Sequence, residues 1–172
     1  GPVIAAGGNY VMSGATLWNQ RRGIVRLWQL TFDAKNQVYN NKVVHEAKGT
    51  VPWGFLGNSV ASVGDIDGDG GQAFAWGDRM AEGKKGKIVF WSATKNKLIY
   101  EQKGDTAHAG FGFGPLAAWK HSDGGVRVLA GEPSYAQWRG RVRILDTETQ
   151  SIVGSIESAY KGSKFATSLA VV

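Results

Sequence analysis

An internal repeat constrains the fold of this chain more than any other sequence feature. Three segments open with a glycine and continue as an alternating strand-like run, namely Gly23–Trp28, Gly86–Trp91 and Gly140–Leu145. In the second and third units a glycine that ends an apolar run, Gly77 or Gly131, precedes this opening glycine by 9 residues. We assign Gly7, which also ends an apolar run, to the same position in the first unit. Self-similarity of this kind is the signature of a repeat architecture.

Each unit continues into one more strand-like run and a closing glycine. The runs are Lys42–Glu46, Lys97–Glu101 and Ser151–Ile156, and the closing glycines are Gly49, Gly104 and Gly162. Four short strands in a unit of roughly 40 to 60 residues, with glycine and aromatic residues at fixed offsets, are typical of propeller blades. The sequence therefore predicts an all-β fold with three four-stranded antiparallel blades of a β-propeller.

The two ends of the chain predict a permuted first blade. Val3–Ala6 matches the second strand of the other units, and Phe165–Val172 matches the start of a first strand. We expect a single propeller segment over residues 1–172. Its blade 1 spans about 3–49 plus a strand at 163–172, blade 2 about 54–104 and blade 3 about 110–162. The C-terminal strand of another copy, or of a longer chain, would complete blade 1.

Closure of the ring is a separate question, because propellers typically have about 4 to 8 blades. Three blades therefore predict either self-association of this chain or the presence of further blades.

A glycine-rich acidic segment follows the first strand-like run of the second unit. Its carboxylates are Asp65, Asp67 and Asp69, with Gly68 and Gly70 between and after them. Carboxylate oxygens at this spacing suit Ca²⁺, which takes about 6 to 8 oxygen ligands. We expect a main-chain carbonyl near Gly71 to complete the site. The loop is not an EF-hand, because Trp76 stands where the twelfth-position glutamate would be. An acidic turn without a metal is the alternative.

The same segment resembles the FG-GAP repeat of integrin alpha-chain β-propellers and their bacterial relatives. The matching residues are Leu56-Gly57 for the FG pair, Ser59–Ala61, Gly64-Asp65, Gly77–Arg79 at the GAP position, and Gly86–Trp91 as the third strand. The fourth carboxylate of the family falls on Ala73, so we expect weak calcium binding. The resemblance implies calcium loops on one face, ligand-binding loops on the opposite face, and an extracellular or periplasmic location.

The basic residues of the chain concentrate in the loops that this resemblance assigns to the ligand face. The formal net charge is +6. The predicted ligand-binding residues are Trp18, Arg21, Arg22, Arg79, Lys84, Tyr135, Trp138 and Arg139. Cations interleaved with aromatic rings suit an acidic protein surface, an anionic glycan or single-stranded nucleic acid. We expect a protein or anionic glycan ligand and no nucleic acid. The alternative is that the loop tips are solvated and the rings pack between blades.

The first unit predicts the anchor of this face. Gly7 and Gly23 are 16 residues apart, against 9 in the other units, which indicates an insertion of about seven residues within Val11–Gln20. Long loops are frequent sites of function. Trp18 with Arg21 and Arg22 is therefore the predicted anchor group, and packing of Trp18 over the blade edge is the alternative.

Catalytic and membrane functions lack sequence support. The chain has no cysteine, and its three histidines, His45, His108 and His121, fall on different elements. It contains no nucleophile elbow, phosphate-binding loop or dinucleotide fingerprint. It also lacks an apolar run of 18 residues that could span a membrane. We therefore predict a non-enzymatic, calcium-binding recognition or adhesion module. A calcium-stiffened structural scaffold and an accessory propeller of a larger extracellular enzyme are the alternatives.

Overall fold

A computed structural model describes residues 3–170 as an all-β molecule with three four-stranded antiparallel sheets. The first sheet contains β1 (Val3–Gly7), β2 (Tyr10–Ala15), β3 (Ile24–Asp33) and β4 (Val38–Lys48). The second contains β5 (Val60–Gly64), β6 (Ala73–Asp78), β7 (Lys87–Ser92) and β8 (Lys97–Lys103). The third contains β9 (Leu116–Lys120), β10 (Val126–Glu132), β11 (Arg141–Asp146) and β12 (Ser151–Glu157).

The strands of each sheet follow one another as an antiparallel meander, so each sheet is one blade of a propeller. The first strands of the blades, β1, β5 and β9, lie next to one another, with β5 in the middle. A one-turn segment joins the second and third strand of every blade: α1 (Trp18–Arg21), α2 (Ala81–Lys84) and α3 (Tyr135–Trp138). The predicted fold class is confirmed: three blades form an incomplete propeller.

The predicted permutation of blade 1 is wrong. Val3–Gly7 is the first strand of this blade, and it pairs with β2 from Val3↔Gly14 to Gly7↔Tyr10. Blade 1 thus has four strands of its own and needs no strand from elsewhere. Residues 163–170 form no strand, and the remaining residues of the predicted C-terminal strand, 171 and 172, lie outside the described residues.

The predicted insertion in blade 1 is also wrong, for a related reason. Gly7 lies at the hairpin turn between β1 and β2, whereas Gly14 holds the position of Gly77 and Gly131 near the end of the second strand. Gly14 and Gly23 are 9 residues apart, so the connection from β2 to β3 is as long as in the other two blades.

Two hydrophobic cores join the three blades. The first lies between blades 1 and 2 and contains Met12, Leu27, Phe74 and Trp76. The second lies between blades 2 and 3 and contains Ala75, Phe90, Phe111, Val128 and Leu145. Successive residues of a strand point to opposite faces, so β6 sends Phe74 and Trp76 toward blade 1 and Ala75 toward blade 3.

Glycine allows the blades to approach each other closely. A Cβ atom on Gly14 would lie 2.0 Å from the carbonyl oxygen of Gly57, and one on Gly77 would lie 2.0 Å from that of Gly112. In the third blade a Cβ atom on the corresponding residue, Gly131, would lie 2.5 Å from the carbonyl oxygen of Ala166. The repeated glycine is therefore a packing requirement of the contact between one blade and the segment that leads into the next.

The outer faces of blades 1 and 3 have no blade against them among the described residues. On blade 1, Val11 and Trp28 are paired across β2 and β3, opposite to the face that carries Met12. They line an apolar hollow with Leu30. On blade 3 the outer face carries Leu129, paired with Ile144. Inside the molecule, equivalent faces of adjacent blades pack together to form the two cores. The outer faces of blades 1 and 3 could therefore pair with further blades.

Candidate functional site

The turns between the second and third strands share an unusual left-handed backbone. In blade 1 the φ angles of Asn19, Gln20 and Arg21 are 43°, 57° and 62°. The equivalent residues of blade 2, Glu82–Lys84, and of blade 3, Ala136–Trp138, also have positive φ throughout. Left-handed conformation costs a residue other than glycine roughly 1–2 kcal/mol. Such a turn, repeated in all three blades, requires a compensating interaction.

Backbone hydrogen bonds from the crossover segment, which leads from one blade to the next, supply this compensation. The Phe55 N–H donates to the carbonyl of Arg21 at 2.9 Å, and the Leu56 N–H donates to that of Arg22 at 3.0 Å. In blade 3 the Lys164 N–H donates to the carbonyl of Trp138 at 2.7 Å. The turn thus directs its carbonyls toward the crossover, which fixes where its side chains emerge on the surface.

A cleft of about 220 Å³ opens between blades 2 and 3 on this face. Its lining residues come from the turns of both blades and from the crossover between them: Arg79, Met80, Lys84, His108, Gly110, Phe113, Ser134 and Trp138. Three of the predicted ligand residues, Arg79, Lys84 and Trp138, therefore meet in one concavity. Trp138 is 52% exposed at the rim of the cleft, and Nζ of Lys164 lies 5.4 Å from its ring centroid.

The Arg79 guanidinium lies against two aromatic rings that are in edge contact with each other. Its central carbon lies 4.8 Å from the ring centroid of Phe113 and 5.4 Å from that of Phe55. Cation–π contacts of this kind are worth about 0.5–1 kcal/mol at exposed sites and more when desolvated. They position the guanidinium without neutralising its charge.

The charged side chains that line the cleft are all positive. No carboxylate lines it, and none of the ion pairs found within residues 3–170 includes Arg79 or Lys84. Of the carboxylates on the neighbouring segments, Glu82 pairs with Lys103 at 3.2 Å and Asp105 pairs with Arg143 at 2.8 Å. Asp78 accepts a hydrogen bond from the N–H of Met80 at 3.1 Å. Two cations thus face the cleft, and neither has an ion-pair partner among residues 3–170.

A buried ion cluster fixes the start of the crossover that carries His108. Arg141 contacts both Glu132, which is fully buried, and Asp105. Burial, only partly offset by Arg141, raises the pKa of Glu132. Burial also acts to raise the pKa of Asp105, but hydrogen bonds from Thr106 and the two arginines, Arg143 and Arg141, outweigh it and hold this pKa well below its usual range. The cluster joins blade 3 to the crossover beneath the cleft.

The predicted anchor group of blade 1 lies on the same type of turn but forms no comparable cleft. The Arg21 guanidinium stacks on Trp53 at 4.1 Å, and Arg22 donates through Nη1 to the carbonyl of Thr50. The ring of Trp18 lies 5.8 Å from Nζ of Lys48. These contacts are within the chain, and the hollow beside Arg22 measures only about 60 Å³.

The remaining predicted ligand residues differ in their surroundings. Tyr135 lies under the guanidinium of Arg141, with 3.7 Å between the central carbon and the ring centroid. Arg139 accepts hydrogen bonds through its carbonyl, from Phe165 and Ser163, and its side chain does not line the cleft.

The sequence did not predict the other five lining residues of the cleft. They are Met80, His108, Gly110, Phe113 and Ser134. The available signal was that the crossover containing His108 maps to the same face as the basic turns. Phe113 could not be recognised as a cleft residue, because the apolar residues after it predict that it belongs to the first strand of blade 3.

The acidic loop between β5 and β6 is ordered by its own backbone. Asp65 accepts from the N–H of Asp69 at 3.1 Å and from that of Gly70 at 2.9 Å. Asp69 accepts from the N–H of Gly71 at 2.7 Å. One carboxylate oxygen from each of Asp65, Asp67 and Asp69 lies within 4.8 Å of the others. This oxygen donor set fits a calcium ion, and the predicted role of a carbonyl near Gly71 stays a prediction.

A lysine also contacts this loop. Lys95 Nζ lies 3.3 Å from Oδ2 of Asp67 and 3.3 Å from Oδ2 of Asp69. Burial acts to raise the pKa of Asp69, but hydrogen bonds from Gly71, Lys95 and Ser92 outweigh it and lower this pKa. Burial acts to lower the pKa of Lys95, but its two carboxylate partners raise it. A positive charge from the turn between β7 and β8 therefore already lies against the acidic loop.

The cleft and the acidic loop lie at opposite ends of blade 2. Strand β6 begins at Ala73, next to the acidic loop, and ends at Asp78, next to the basic turn. A six-residue strand is about 20 Å long at roughly 3.3 Å per residue. The two features are therefore separate sites on opposite faces.

Comparisons with known proteins add the following. No protein-family model and no curated protein matches the chain. It is similar to a solved structure, described as that of the Dos1 propeller, with 15% sequence identity and a TM-score of 0.49. The match covers 92% of this chain and only 36% of that one. The resemblance to FG-GAP repeats therefore stays a prediction. Within residues 3–170, no helix is long and apolar enough to cross a membrane.

Proposed function

We propose that this chain is a non-catalytic recognition module that binds an anionic group of a protein or glycan in the cleft between blades 2 and 3. The supporting observation is the convergence of Arg79 and Lys84, neither of which has a carboxylate partner among the described residues, with exposed Trp138. We also propose, on the resemblance of its acidic loop and repeats to FG-GAP repeats, that the protein acts outside the cell or in the periplasm.

The side chains of the cleft suit an acidic group attached to an apolar or ring-shaped body. Arginine presents a planar fork of donors that matches carboxylate and phosphate geometry, whereas lysine supplies a compact point charge. Trp138 offers apolar surface beside them. The cleft, at about 220 Å³, is smaller than the roughly 300–1,000 Å³ typical of small-molecule pockets. It therefore accommodates one acidic residue or sugar unit of a larger ligand.

Calorimetry with a small ligand panel tests this function. The panel contains a glutamate-rich peptide, a sulfated glycan, and a neutral counterpart of each. We expect one of the acidic ligands to bind and both neutral ones to fail. Changing Arg79 to Gln or Lys84 to Gln should weaken binding at least about tenfold, since charge-assisted hydrogen bonds contribute about 1.5–3 kcal/mol. Binding should also weaken as salt increases.

The control variant is Lys97→Gln, which makes the same change of charge on the exposed outer strand β8. Binding that is weakened equally by Lys97→Gln and Lys84→Gln would show a response to net charge and contradict the cleft assignment. Binding of the neutral ligands would contradict the anionic specificity.

The alternative function is a structural scaffold in which the acidic loop, with calcium bound, stiffens blade 2. The observation that favours it is the oxygen cluster of Asp65, Asp67 and Asp69. If the protein is a scaffold, calcium raises its unfolding temperature, and changing Arg79 or Lys84 to Gln has no effect on the binding of any ligand in the panel. The ligand panel therefore separates the two functions.

A further inference from the structure

The turn between β7 and β8 places Lys95 at the acidic loop through contacts that do not involve its charge. The N–H of Ala93 donates to the carbonyl of Gln72 at 2.8 Å. The N–H of Gln72 donates to Oγ1 of Thr94 at 3.1 Å, and that of Lys95 donates to Oγ of Ser92 at 3.1 Å. The two bonds with Gln72 join the turn to the end of the acidic loop, and the bond to Ser92 closes the turn itself. The position of the Lys95 backbone is therefore set by the fold of blade 2.

The Lys95 side chain reaches two carboxylates at equal distances. Its ammonium lies 3.3 Å from an oxygen of Asp67 and 3.3 Å from an oxygen of Asp69. The two carboxylate side chains are only 14% and 6% exposed, so water screens them poorly. Three carboxylates close together repel one another, and a single ammonium between two of them offsets part of that repulsion.

We propose that Lys95 is the built-in counter-cation of the acidic loop, which lets blade 2 fold without a metal ion and competes with calcium for Asp67 and Asp69. A metal at an acidic loop and a lysine at the same loop are alternative solutions to one electrostatic problem. This chain carries both the oxygen donor set and the ammonium.

Competition follows from the distances. Calcium binds oxygen at about 2.3–2.6 Å. An ion that bridged the oxygens of Asp67 and Asp69 would therefore lie where the ammonium of Lys95 now lies, or within a few ångströms of it. Like charges at that separation repel strongly. Calcium binding consequently requires the lysine side chain to swing out. Its 41% exposure and flexible stem permit this movement, but the two contacts are lost.

Calcium titration by calorimetry, combined with thermal unfolding in EDTA and in calcium, tests the proposal. The variant is Lys95→Gln, the charge-retaining variant is Lys95→Arg, and the control is Lys97→Gln on β8. We expect Lys95→Gln to unfold at a lower temperature than the parent in EDTA. It should bind calcium about tenfold more tightly, because it loses two partly exposed ion-pair contacts, each of modest strength. Lys95→Arg and Lys97→Gln should behave like the parent.

The outcomes that overturn the proposal are equally specific. Equal calcium affinity of the parent and Lys95→Gln, including no uptake by either, would show that the ammonium does not compete. An unfolding temperature of Lys95→Gln in EDTA equal to that of the parent would show that it is not a counter-cation.

Lys95→Gln could fail to fold in EDTA, and the parent protein then provides a second test. Calcium is added to isotope-labelled parent while NMR follows the side-chain signals of Lys95. We expect these signals to shift toward those of a solvated lysine as calcium binds, while the Lys97 signals stay unchanged. Lys95 signals that do not move up to high calcium would overturn the proposal.

Discussion

Replacing Gly77 by alanine tests the close approach of blade 2 to the segment that leads into blade 3. Gly77 is buried near the end of β6, and the new Cβ would lie 2.0 Å from the carbonyl oxygen of Gly112. The carbonyl carbon and Cα of Gly112 would lie at 2.5 and 2.6 Å. All three obstacles are backbone atoms, so no side-chain rotation can relieve the overlap.

The expected cost follows from these contacts. Overpacking that forces side chains and backbone to shift typically costs about 1–3 kcal/mol. Here the backbone of Gly112 must move, so we take the upper part of that range, about 3 kcal/mol. Replacing glycine by alanine also reduces the entropy of the unfolded chain, which returns about 0.4–1 kcal/mol. The net loss of unfolding free energy is therefore about 2–3 kcal/mol, which lowers the unfolding temperature by about 5–10 °C in a domain of this size.

Urea denaturation of the parent and the variant measures this loss. The matched control is Gly154→Ala in strand β12, where the nearest atom to the new Cβ is Cδ1 of Ile144 at 3.3 Å. A terminal methyl can move aside, so we expect a change below about 1 kcal/mol. If Gly77→Ala unfolds at the same urea concentration as the parent, with the same dependence on urea, the close approach of the blades is wrong.

Three further predictions concern other parts of the fold. His45 stacks on Trp91 with 3.7 Å between ring centroids, and burial lowers its pKa. The unfolded chain therefore protonates His45 more readily than the folded chain does, so the free energy of unfolding should fall as pH drops below about 6.5. His45→Phe should lessen that fall in thermal melts from pH 7 to 5. Arg141→Met leaves buried Glu132 without its cation. It should cost about 3 kcal/mol at pH 7, measured by urea denaturation, and less at pH 4, where Glu132 can be protonated; an equal cost at both pH values would contradict this. We also expect self-association through the outer faces of blades 1 and 3, measured by ultracentrifugation and abolished by Trp28→Glu; a chain that stays monomeric at high concentration contradicts this.

The spacing of glycines predicted blades 2 and 3 correctly and blade 1 incorrectly, for an identifiable reason. A glycine after a short apolar run occurs both at a hairpin turn, such as Gly7, and at a close contact between blades, such as Gly77. The local sequence is alike in the two cases. Only the 9-residue step to the next glycine separates them, and that step selects Gly14. The length of the connection was therefore more informative than the residues around the glycine.

The cleft was only partly predictable from sequence. Equivalent turns of successive blades must emerge on one face, and this rule brought Arg79, Lys84 and Trp138 together. The left-handed backbone of these turns was not predictable, because residues such as Gln137 rarely adopt positive φ without tertiary hydrogen bonds. Nor could the sequence show that Arg21 would be engaged by a ring of its own chain.

Two sequence differences between the first and second crossovers explain why the cleft opens between blades 2 and 3 and not between blades 1 and 2. Trp53 and Phe55 in the first crossover have positive φ, as do His108 and Gly110 at the matching positions of the second. In the first crossover the large rings contact Arg21 and Arg79 and occupy the surface.

In the second crossover, histidine and glycine stand where the first has those rings, and the space is open. The Phe55 ring that fills the first junction also contacts Arg79, together with the adjacent ring of Phe113. The same crossover that closes one junction thus positions the cation of the next. The distinct chemistry of this face therefore arises from differences between the blades, within a backbone that all three blades share.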